Sequence, residues 1–199
     1  MNRIQQVIFG YLCLCAMPLM AKPVVETAIL AGGCFWCIEA DYEKLDGVFE
    51  AVSGYSGGHI DNPTYKQVSA GNSGHIEVVK VSYDASKLSY SQILDFFWRH
   101  IDPTRNDGQF CDRGPQYRPA IFYQNDKQKQ HAVASMNHIN ETKPFKAPLK
   151  VELIQAGTFY PAETYHQDYY KKNPYRYKFY RLSCGRDSRV KELWGDSGN

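Results

Sequence analysis

The spacing of hydrophobic residues after residue 21 predicts a single domain in which strands and helices mix. Apolar, β-branched runs predict buried strands, and an apolar residue every three or four positions predicts a helix. The predicted strands are 24–31, 48–55, 75–83, 119–123 and 150–156. The predicted helices are 34–45, 89–101 and 125–139. Because the two kinds of element do not alternate strictly, the pattern favours an α+β fold.

The strand predicted at 75–83 is apolar on both faces, which is typical of a central strand. Side chains alternate along a strand, so Val79 shares a face with Glu77, whereas Ile76 and Val78 face the other way. We therefore expect Glu77 to be partly buried. Burial raises the pKa of a carboxyl group and allows it to donate a proton. The alternative is a solvated glutamate on an edge strand.

Two long loops, at 56–73 and 102–118, interrupt the pattern, and the chain from 160 onward has no clean period. Loops of this length in a compact domain are often functional. The loops contain Tyr65 and Tyr117, whose phenols could donate hydrogen bonds, although an isolated tyrosine is more often a packing residue. The C-terminal tail is expected to be long and irregular.

The first 21 residues have the layout of a secretory signal peptide. Arg3 gives a positive start, residues 7–17 are mostly apolar, and Ala21 is a small residue suited to cleavage. A spanning helix needs about 20 apolar residues, and this run is shorter, although an uncleaved anchor is the alternative. We expect an exported protein, periplasmic or secreted, with a mature domain at 22–199 and no stable membrane association after cleavage.

Charge adds little to this picture. The formal net charge is +2, and positive and negative residues are interspersed, so nothing indicates a polyanionic partner. Basic and aromatic residues alternate at 171–178, a pattern that could stack on single-stranded nucleic acid. A solvated basic segment is the simpler interpretation for an exported protein. We expect no nucleic acid partner and, by default, a monomer.

Four cysteines remain after the signal peptide: Cys34, Cys37, Cys111 and Cys184. An even number in an exported chain fits structural disulfides, but the spacing of Cys34 and Cys37 favours redox chemistry. Cys34 follows two glycines at a strand-to-helix junction, where a helix N-terminus lowers the pKa of a thiol. The alternative is a buried structural cysteine.

No metal site is expected. Zinc would need a second pair of cysteine or histidine ligands beside the Cys-x-x-Cys pair, and the six histidines are scattered along the chain. His166 is most simply interpreted as a hydrogen-bonded structural histidine.

Several short motifs occur in order along the chain. They are Gly-Cys-Phe-Trp at 33–36 followed by Glu39, Gly-Tyr-Ser-Gly-Gly at 54–58, Asn-Pro-Thr-Tyr at 62–65, Gly-His-Ile-Glu at 74–77, Gln-Tyr-Arg at 116–118 and Phe-Tyr-Pro-Ala-Glu at 159–163. Together they resemble the A-type peptide methionine sulfoxide reductases, over roughly residues 27–194. The resemblance implies a two-layer α/β sandwich around a mixed central sheet, with a ferredoxin-like core.

The resemblance also implies a reaction, the thiol-dependent reduction of the S-epimer of methionine sulfoxide, free or in oxidised proteins. It implies that Cys34 attacks the sulfoxide sulfur and that Glu77 protonates its oxygen. Phe35 and Trp36 would hold the substrate methyl group. The other positions implied are Tyr65 and Tyr117 as hydrogen-bonding partners of the oxygen, Asp112 on the substrate side, and Tyr177 near the site.

Recycling needs a second thiol. Oxygen transfer leaves a sulfenic acid on Cys34, which condenses with a resolving thiol to a disulfide that an external thioredoxin-like dithiol reduces. No bound cofactor is implied. Cys184 and Cys37 are both candidates; many relatives have Gly at the position of Cys37, and a resolving cysteine is often on the tail, which favours Cys184. Cys111 is expected to be a structural thiol outside the reaction.

Two other functions remain open at this point. The Cys-x-x-Cys pair alone would fit a thioredoxin-like disulfide oxidoreductase, although that function explains neither Glu77 nor the tyrosines. A non-enzymatic exported binding module that uses its aromatic residues is the third interpretation.

Overall fold

The computed structural model describes residues 22–195, so the predicted signal peptide lies outside the described residues. The strands are β1 (Val25–Ala31), β2 (Val48–Ser56), β3 (Ile76–Asp84), β4 (Gly108–Gln109), β5 (Asp112–Arg113), β6 (Ala120–Tyr123), β7 (Glu152–Gln155) and β8 (Tyr160–Pro161). The helices are α1 (Phe35–Tyr42), α2 (Tyr65–Ser69), α3 (Tyr90–Arg99), α4 (Asp126–Thr142), α5 (Tyr169–Lys172), α6 (Pro174–Ser183) and α7 (Arg186–Trp194). Among the described residues, no helix is both long and apolar enough to cross a membrane.

The main sheet has six strands in the order β7-β6-β1-β3-β2-β8. Its four central strands, β6-β1-β3-β2, pair with one another in antiparallel fashion. With α1 after β1 and α3 after β3, this path is the β-α-β-β-α-β arrangement of ferredoxin-like folds. β7 joins β6 in parallel and makes the sheet mixed. The predicted α+β fold with a ferredoxin-like core is confirmed.

β3 lies in the middle of the sheet, as its pattern predicts. Val79 and Val81 are fully buried in the main core between the sheet and the helices, and Ile76 and Val78 are fully buried in a smaller core that includes Phe122. Burial of each such side chain contributes about 1.5–3 kcal/mol. The strand is therefore held by apolar contacts on both faces, which fixes the position of every side chain it carries.

Helix α3 closes the main core and supports α1. It begins after Ser89, whose hydroxyl accepts the backbone N–H of Gln92 in a reciprocal capping box. Phe97 and Trp98 on its buried face are fully enclosed. The hydroxyl of Tyr42, at the end of α1, donates to the carbonyl oxygen of Ile93 at 2.8 Å. The two helices are thereby joined by a buried hydrogen bond as well as by packing.

The C-terminal tail differs from its predicted irregular form, because residues from 160 onward form β8 and three helices. Pro174 starts α6, and Gly185, at φ 67°, separates α6 from α7. Helix α6 buries only Tyr177 of its ten residues, while Tyr175 and Phe179 are largely exposed. A helix with so few buried positions has no apolar stripe, which is why its period is absent from the sequence.

The cysteine pairing also differs from expectation. Cys111 and Cys184 form a disulfide across a sequence separation of 73 residues, with Cα atoms 4.8 Å apart. Cys111, expected to be a structural thiol outside the reaction, is therefore a disulfide partner and not a free thiol. Cys34 and Cys37 are both free and buried.

The turn between β1 and α1 requires glycine at position 33, and this requirement generates a prediction. Gly33 has φ 85°, and an added Cβ would lie 2.5 Å from the Cβ of Gln109. We expect Gly33→Ala to lower the free energy of unfolding by about 2 kcal/mol or more, since it adds left-handed strain to overpacking. Urea unfolding measures the change. Gly157→Ala is the matched control, because an added Cβ there meets no described atom within 4 Å; equal effects of the two variants would contradict the prediction.

Candidate active site

The first thiol is held at the junction of β1 and α1. After Ala31 the chain turns through Gly32 and Gly33, and Cys34 becomes the N-cap residue of α1. The turn is tight, since the Cβ of an alanine at 32 would lie 2.5 Å from the side chain of Ile38. Cys37 is one turn along, and its N–H donates to the carbonyl oxygen of Cys34 at 3.1 Å. Both cysteines are thus fixed on one side of the same helix.

Cys34 opens onto a cavity of about 240 Å³. The side chains that line the cavity are Cys34, Phe35, Trp36, Tyr65, Glu77, Asp112, Tyr117 and Tyr180. Seven of these eight are residues that the sequence predicted for the site. These seven come from the start of α1, from the central strand β3 and from both long loops, and the fold brings them together.

Glu77 forms the base of the cavity. It is 2% exposed, more deeply buried than its pattern predicted, and its Oε2 accepts the backbone N–H of Phe35 at 3.0 Å. Burial raises the pKa of this carboxyl group to about 8, against the opposing effect of the Phe35 hydrogen bond and with a smaller contribution from the Asp112 charge. Glu77 therefore holds a proton at neutral pH and can donate it into the cavity.

Trp36 is oriented by a hydrogen bond and by stacking. Its Nε1–H donates to Nδ1 of His166 at 3.0 Å, and its ring stacks on Tyr169 with centroids 3.8 Å apart. Burial lowers the pKa of His166, so the imidazole is neutral and its proton lies on Nε2. The interpretation of His166 as a hydrogen-bonded structural histidine is confirmed. It fixes the indole that forms one wall of the cavity.

The two loop tyrosines both line the cavity. Tyr65 is the first residue of α2, and its backbone N–H donates to Glu163 at 2.8 Å. Tyr117 ends a short 3-10 turn. Burial raises the pKa of Tyr65 to about 12, with a further contribution from Glu77, and burial likewise raises the pKa of Tyr117. Both phenols therefore keep their protons and remain hydrogen-bond donors.

The last wall of the cavity pairs a predicted residue with one that the sequence analysis missed. The hydroxyl of Tyr180 donates to Oδ2 of Asp112 at 2.6 Å. Tyr177, the tyrosine expected near the site, is absent from the residues that line the cavity and packs behind Cys37, where its hydroxyl accepts from Arg181. The two tyrosines are three residues apart on α6. No sequence motif distinguishes Tyr180 from Tyr177, so only the orientation of α6 in the structure shows that Tyr180 is the one that lines the cavity.

Residues 26–198 match the family described as peptide methionine sulfoxide reductase. The chain belongs to this family. A relative from Vibrio cholerae, named Peptide methionine sulfoxide reductase MsrA/MsrB, is 56% identical over 174 residues, which are 87% of this chain and 46% of that protein. This chain therefore spans about half the length of that relative. A second relative, MsrA 2 of Caulobacter vibrioides, is 48% identical over 179 residues, 89% of this chain and 90% of that protein.

Solved structures agree with this assignment. The reduced form of Mxr1 from Saccharomyces cerevisiae has a TM-score of 0.71 and 30% identity over 75% of this chain and 86% of that one. Methionine sulfoxide reductase A of Corynebacterium diphtheriae has a TM-score of 0.69 and 30% identity over 77% of each chain. The family assigns the chain to the oxidoreductases.

The two thiols of this reductase have pKa values shifted in opposite directions. Burial raises the pKa of Cys34 well above its ordinary value, and the hydrogen bond and charge of Cys37 and the charge of Glu77 add to the rise. The hydrogen bond from Cys34 lowers the pKa of Cys37 to about 7 against the effect of burial, and Arg186 and Arg181 lower it further. This direction is opposite to the one expected for a thiol at a helix N-terminus, because burial dominates at Cys34 and the lowered pKa belongs to Cys37.

Two further buried residues position α1 of the reductase. Arg186 is 2% exposed and donates to the carbonyl oxygens of Gly32 at 2.8 Å and His100 at 2.9 Å. Glu39 accepts the hydroxyl of Ser53 and the N–H of Asp168, and burial raises its pKa to about 7. Glu39 belongs to one of the motifs described above. Nothing in the sequence distinguishes Arg186 from the other arginines of the tail.

The groups that could hold a metal ion already have partners inside the protein. The described residues contain two such groups, Cys111 with Asp112 and Cys184, and Glu39 with Glu43 and Asp168. In the first, the sulfur atoms form the disulfide. In the second, Lys171 makes ion pairs with Glu43 at 2.6 Å and Asp168 at 2.8 Å. Lys171 is also the first residue of the basic stretch at 171–178, so part of that stretch serves these internal ion pairs.

Proposed function

We propose that the chain reduces the S-epimer of methionine sulfoxide, free or in oxidised proteins, through a sulfenic acid on Cys34. The observation that carries this proposal is a buried thiol and a protonated carboxyl group in one cavity of about 240 Å³. Membership of the reductase family supports the reaction type. A disulfide oxidoreductase would have no use for Glu77 in that cavity.

The cavity has an apolar and a polar side, which match the two ends of a sulfoxide. Phe35 and Trp36 provide the apolar side, and the substrate methyl group packs there. Glu77, Tyr65 and Tyr117 provide donors for the sulfoxide oxygen. With methyl and oxygen held on different walls, only one configuration at sulfur faces Cys34. This supports selection of a single epimer.

Cys34 and Glu77 can each give up a proton and the Cys37 thiolate can accept one, which supports a balanced first step. Cys34 gives its proton to the Cys37 thiolate as its sulfur attacks the sulfoxide sulfur, and Glu77 gives its proton to the sulfoxide oxygen. The sulfur–oxygen bond of the substrate then breaks, and the hydroxyl group passes to Cys34. Methionine leaves, Cys34 becomes a sulfenic acid, and Glu77 becomes a carboxylate.

We propose Cys37 as the resolving cysteine. The thiol of Cys37, protonated in the first step, attacks the Cys34 sulfenic acid, a disulfide forms and water leaves. Cys37 supports this role because it is a free thiol hydrogen-bonded to Cys34. Cys184, which the sequence favoured, is bonded to Cys111 in this structure, and its sulfur is therefore not available as a thiol.

We further propose that a thioredoxin-like dithiol protein reduces the resulting disulfide, and that the chain needs no bound cofactor. The yeast protein Mxr1 has also been crystallised in complex with Trx2, and its reduced form is the 30% identical neighbour described above. The chemistry requires only two electrons and two protons, which one dithiol supplies as it is oxidised to its own disulfide.

Replacing Glu77 tests the acid. We expect Glu77→Gln to lower kcat by about a hundredfold to ten-thousandfold, because an amide cannot protonate the sulfoxide oxygen, while the amide oxygen can still accept the Phe35 N–H. In the unmodified protein, kcat/KM should fall as the pH rises through about 8, where Glu77 loses its proton. Initial rates with the S-epimer from pH 6 to 10 provide both measurements.

Glu39→Gln is the matched control for this prediction. It removes another buried carboxyl group, whose pKa burial raises to about 7, but Glu39 is not among the residues that line the cavity. Its pH profile should keep the fall near 8, whereas the residual rate of Glu77→Gln should lack it. Turnover by Glu77→Gln at the unmodified rate would remove the acid assignment.

A single turnover without added reductant tests the whole scheme. Protein with Cys34 and Cys37 reduced is mixed separately with the S- and R-epimers of a blocked methionine sulfoxide. We expect methionine from the S-epimer alone, loss of two thiols, and a Cys34–Cys37 disulfide by peptide mass spectrometry. Cys37→Ser should still form one methionine per chain and retain a Cys34 sulfenic acid that dimedone traps.

The other outcomes of the single turnover are equally informative. A Cys34–Cys184 bridge would return the resolving role to the tail. No methionine from either epimer would contradict the reductase proposal and favour the disulfide oxidoreductase.

We also propose that the chain is exported and that residues 1–21 are removed. The Cys111–Cys184 disulfide supports this, since disulfides persist mainly in oxidising compartments. Expression of the full chain in a bacterial host should yield, in the periplasmic fraction, a protein whose intact mass corresponds to a start at Lys22. Recovery of the uncleaved chain in the membrane fraction would instead support the anchor.

A further inference from the structure

Phe110, Cys111 and Asp112 follow one another in the chain, and each contacts one residue of the C-terminal segment, namely Arg186, Cys184 and Tyr180 respectively. We call these six residues the clasp. The guanidinium carbon of Arg186 lies 4.2 Å above the ring of Phe110, Cys111 is bonded to Cys184, and Asp112 accepts the hydroxyl of Tyr180 at 2.6 Å. The clasp therefore joins the loop before β5 to the segment that spans the end of α6 and the start of α7. The disulfide is its middle contact and its only covalent one.

The clasp ends at the active site. Asp112 and Tyr180 both line the cavity, and the Tyr180 ring packs edge-on against Trp36 with centroids 5.7 Å apart. The N–H of Cys184 donates to the carbonyl oxygen of Tyr180 at 2.9 Å, so the disulfide lies one helical turn from the tyrosine. A movement of the disulfide would therefore also move Tyr180 in the cavity wall.

The residues on the loop side of the clasp need contacts from outside the loop to keep them in position. Phe110 has φ 51°, a left-handed conformation that is strained for a bulky residue. The regular structure on either side is the ribbon of β4 and β5, in which only two residue pairs face each other. Strain of this kind persists only where neighbouring contacts enforce it. Without the disulfide, the loop has less to keep Asp112 against Tyr180.

We propose that the Cys111–Cys184 disulfide is a positioning bond for substrate binding, which holds Asp112 and Tyr180 in the wall of the cavity. This inference rests on the proposed function. The chain then has two forms with the same Cys34 and Cys37 thiols, and the form with the disulfide intact binds methionine sulfoxide more tightly. Tyr180 is a substrate-wall residue whose position depends on the redox state of a bond outside the cavity.

A dithiol converts one form into the other. Cys111 is exposed, so a small dithiol reaches the bond. Reduction breaks the sulfur–sulfur bond and adds a proton and an electron to each sulfur, while the dithiol becomes a disulfide. No atom of the cavity is altered by this step, and any change in substrate affinity must come through the position of the wall.

A binding experiment in a Cys34→Ser background tests the proposal, because the substrate is then bound without being consumed. A blocked S-methionine sulfoxide is titrated by calorimetry into protein whose Cys111–Cys184 bond is verified by mass spectrometry, and again after reduction with dithiothreitol. We expect the Kd to rise about tenfold on reduction, the factor that corresponds to the loss of one good hydrogen bond. Equal Kd values for the two forms would overturn the proposal.

The matched control is the Cys34→Ser, Cys111→Ser, Cys184→Ser protein. Its Kd should equal that of the reduced form and should not respond to dithiothreitol. If reduction lowers Tm but leaves the Kd unchanged, the bond is only a structural one and the proposal fails. Binding of the S-epimer by neither form, with no turnover by the unmodified chain, would instead overturn the proposed function.

Tyr180→Phe in the Cys34→Ser background gives a second, independent measurement. It removes the hydroxyl that pairs with Asp112 and keeps the ring against Trp36. We expect weaker binding and a response to reduction below threefold, because both changes act on the same wall and their effects are not additive. An unchanged Kd together with a full tenfold response would overturn the proposal that the disulfide acts on substrate binding through the Tyr180–Asp112 pair.

Discussion

The rest of the site depends on one buried hydrogen bond, from the backbone N–H of Phe35 to the carboxyl group of Glu77. It joins the first residue of α1 to the middle strand of the sheet, and so brings Glu77 and Cys34 to the same small cavity. The strand cannot move, because apolar side chains hold both of its faces. Helix α1 is also held in place, because the side chains of Ile38 and Gln109 pack closely against the Gly-Gly turn that precedes it. The same burial that makes the site rigid keeps the proton on Glu77.

Protonation in this site is a property of a group of residues. Glu77 would be an ordinary carboxylate in water and Cys34 an ordinary thiol, but burial raises the pKa of both groups, and the charge of Glu77 adds to the rise at Cys34. The pKa of Cys37 is instead lowered, first by its hydrogen bond with Cys34 and further by the charges of Arg186 and Arg181 on the C-terminal helices. The tail is therefore part of the electrostatics of the reaction even though its charged side chains lie outside the cavity.

The sequence revealed those parts of the molecule whose pattern reflects burial. Alternation in β3 identified the central strand and the buried face of Glu77, and the stripe of α3 identified a core helix. It did not reveal the tail helices, because α6 buries a single side chain and leaves Tyr175 and Phe179 in solvent. It could not choose between Tyr177 and Tyr180, which differ only in helix rotation, nor pair Cys111 with Cys184, since spacing carries no information about connectivity across 73 residues.

The size of the cavity also limits what the enzyme can repair. With a volume of about 240 Å³ and with five aromatic side chains beside the Cys34 thiol in its lining, it admits one extended side chain and no folded backbone around it. An oxidised methionine must therefore project from its own protein by the full length of its side chain before it reaches sulfur. Residues on loops, frayed ends and unfolded segments satisfy this condition, whereas one packed in a folded core has to wait for local opening. Repair of a buried oxidised methionine therefore depends on local opening of the damaged protein.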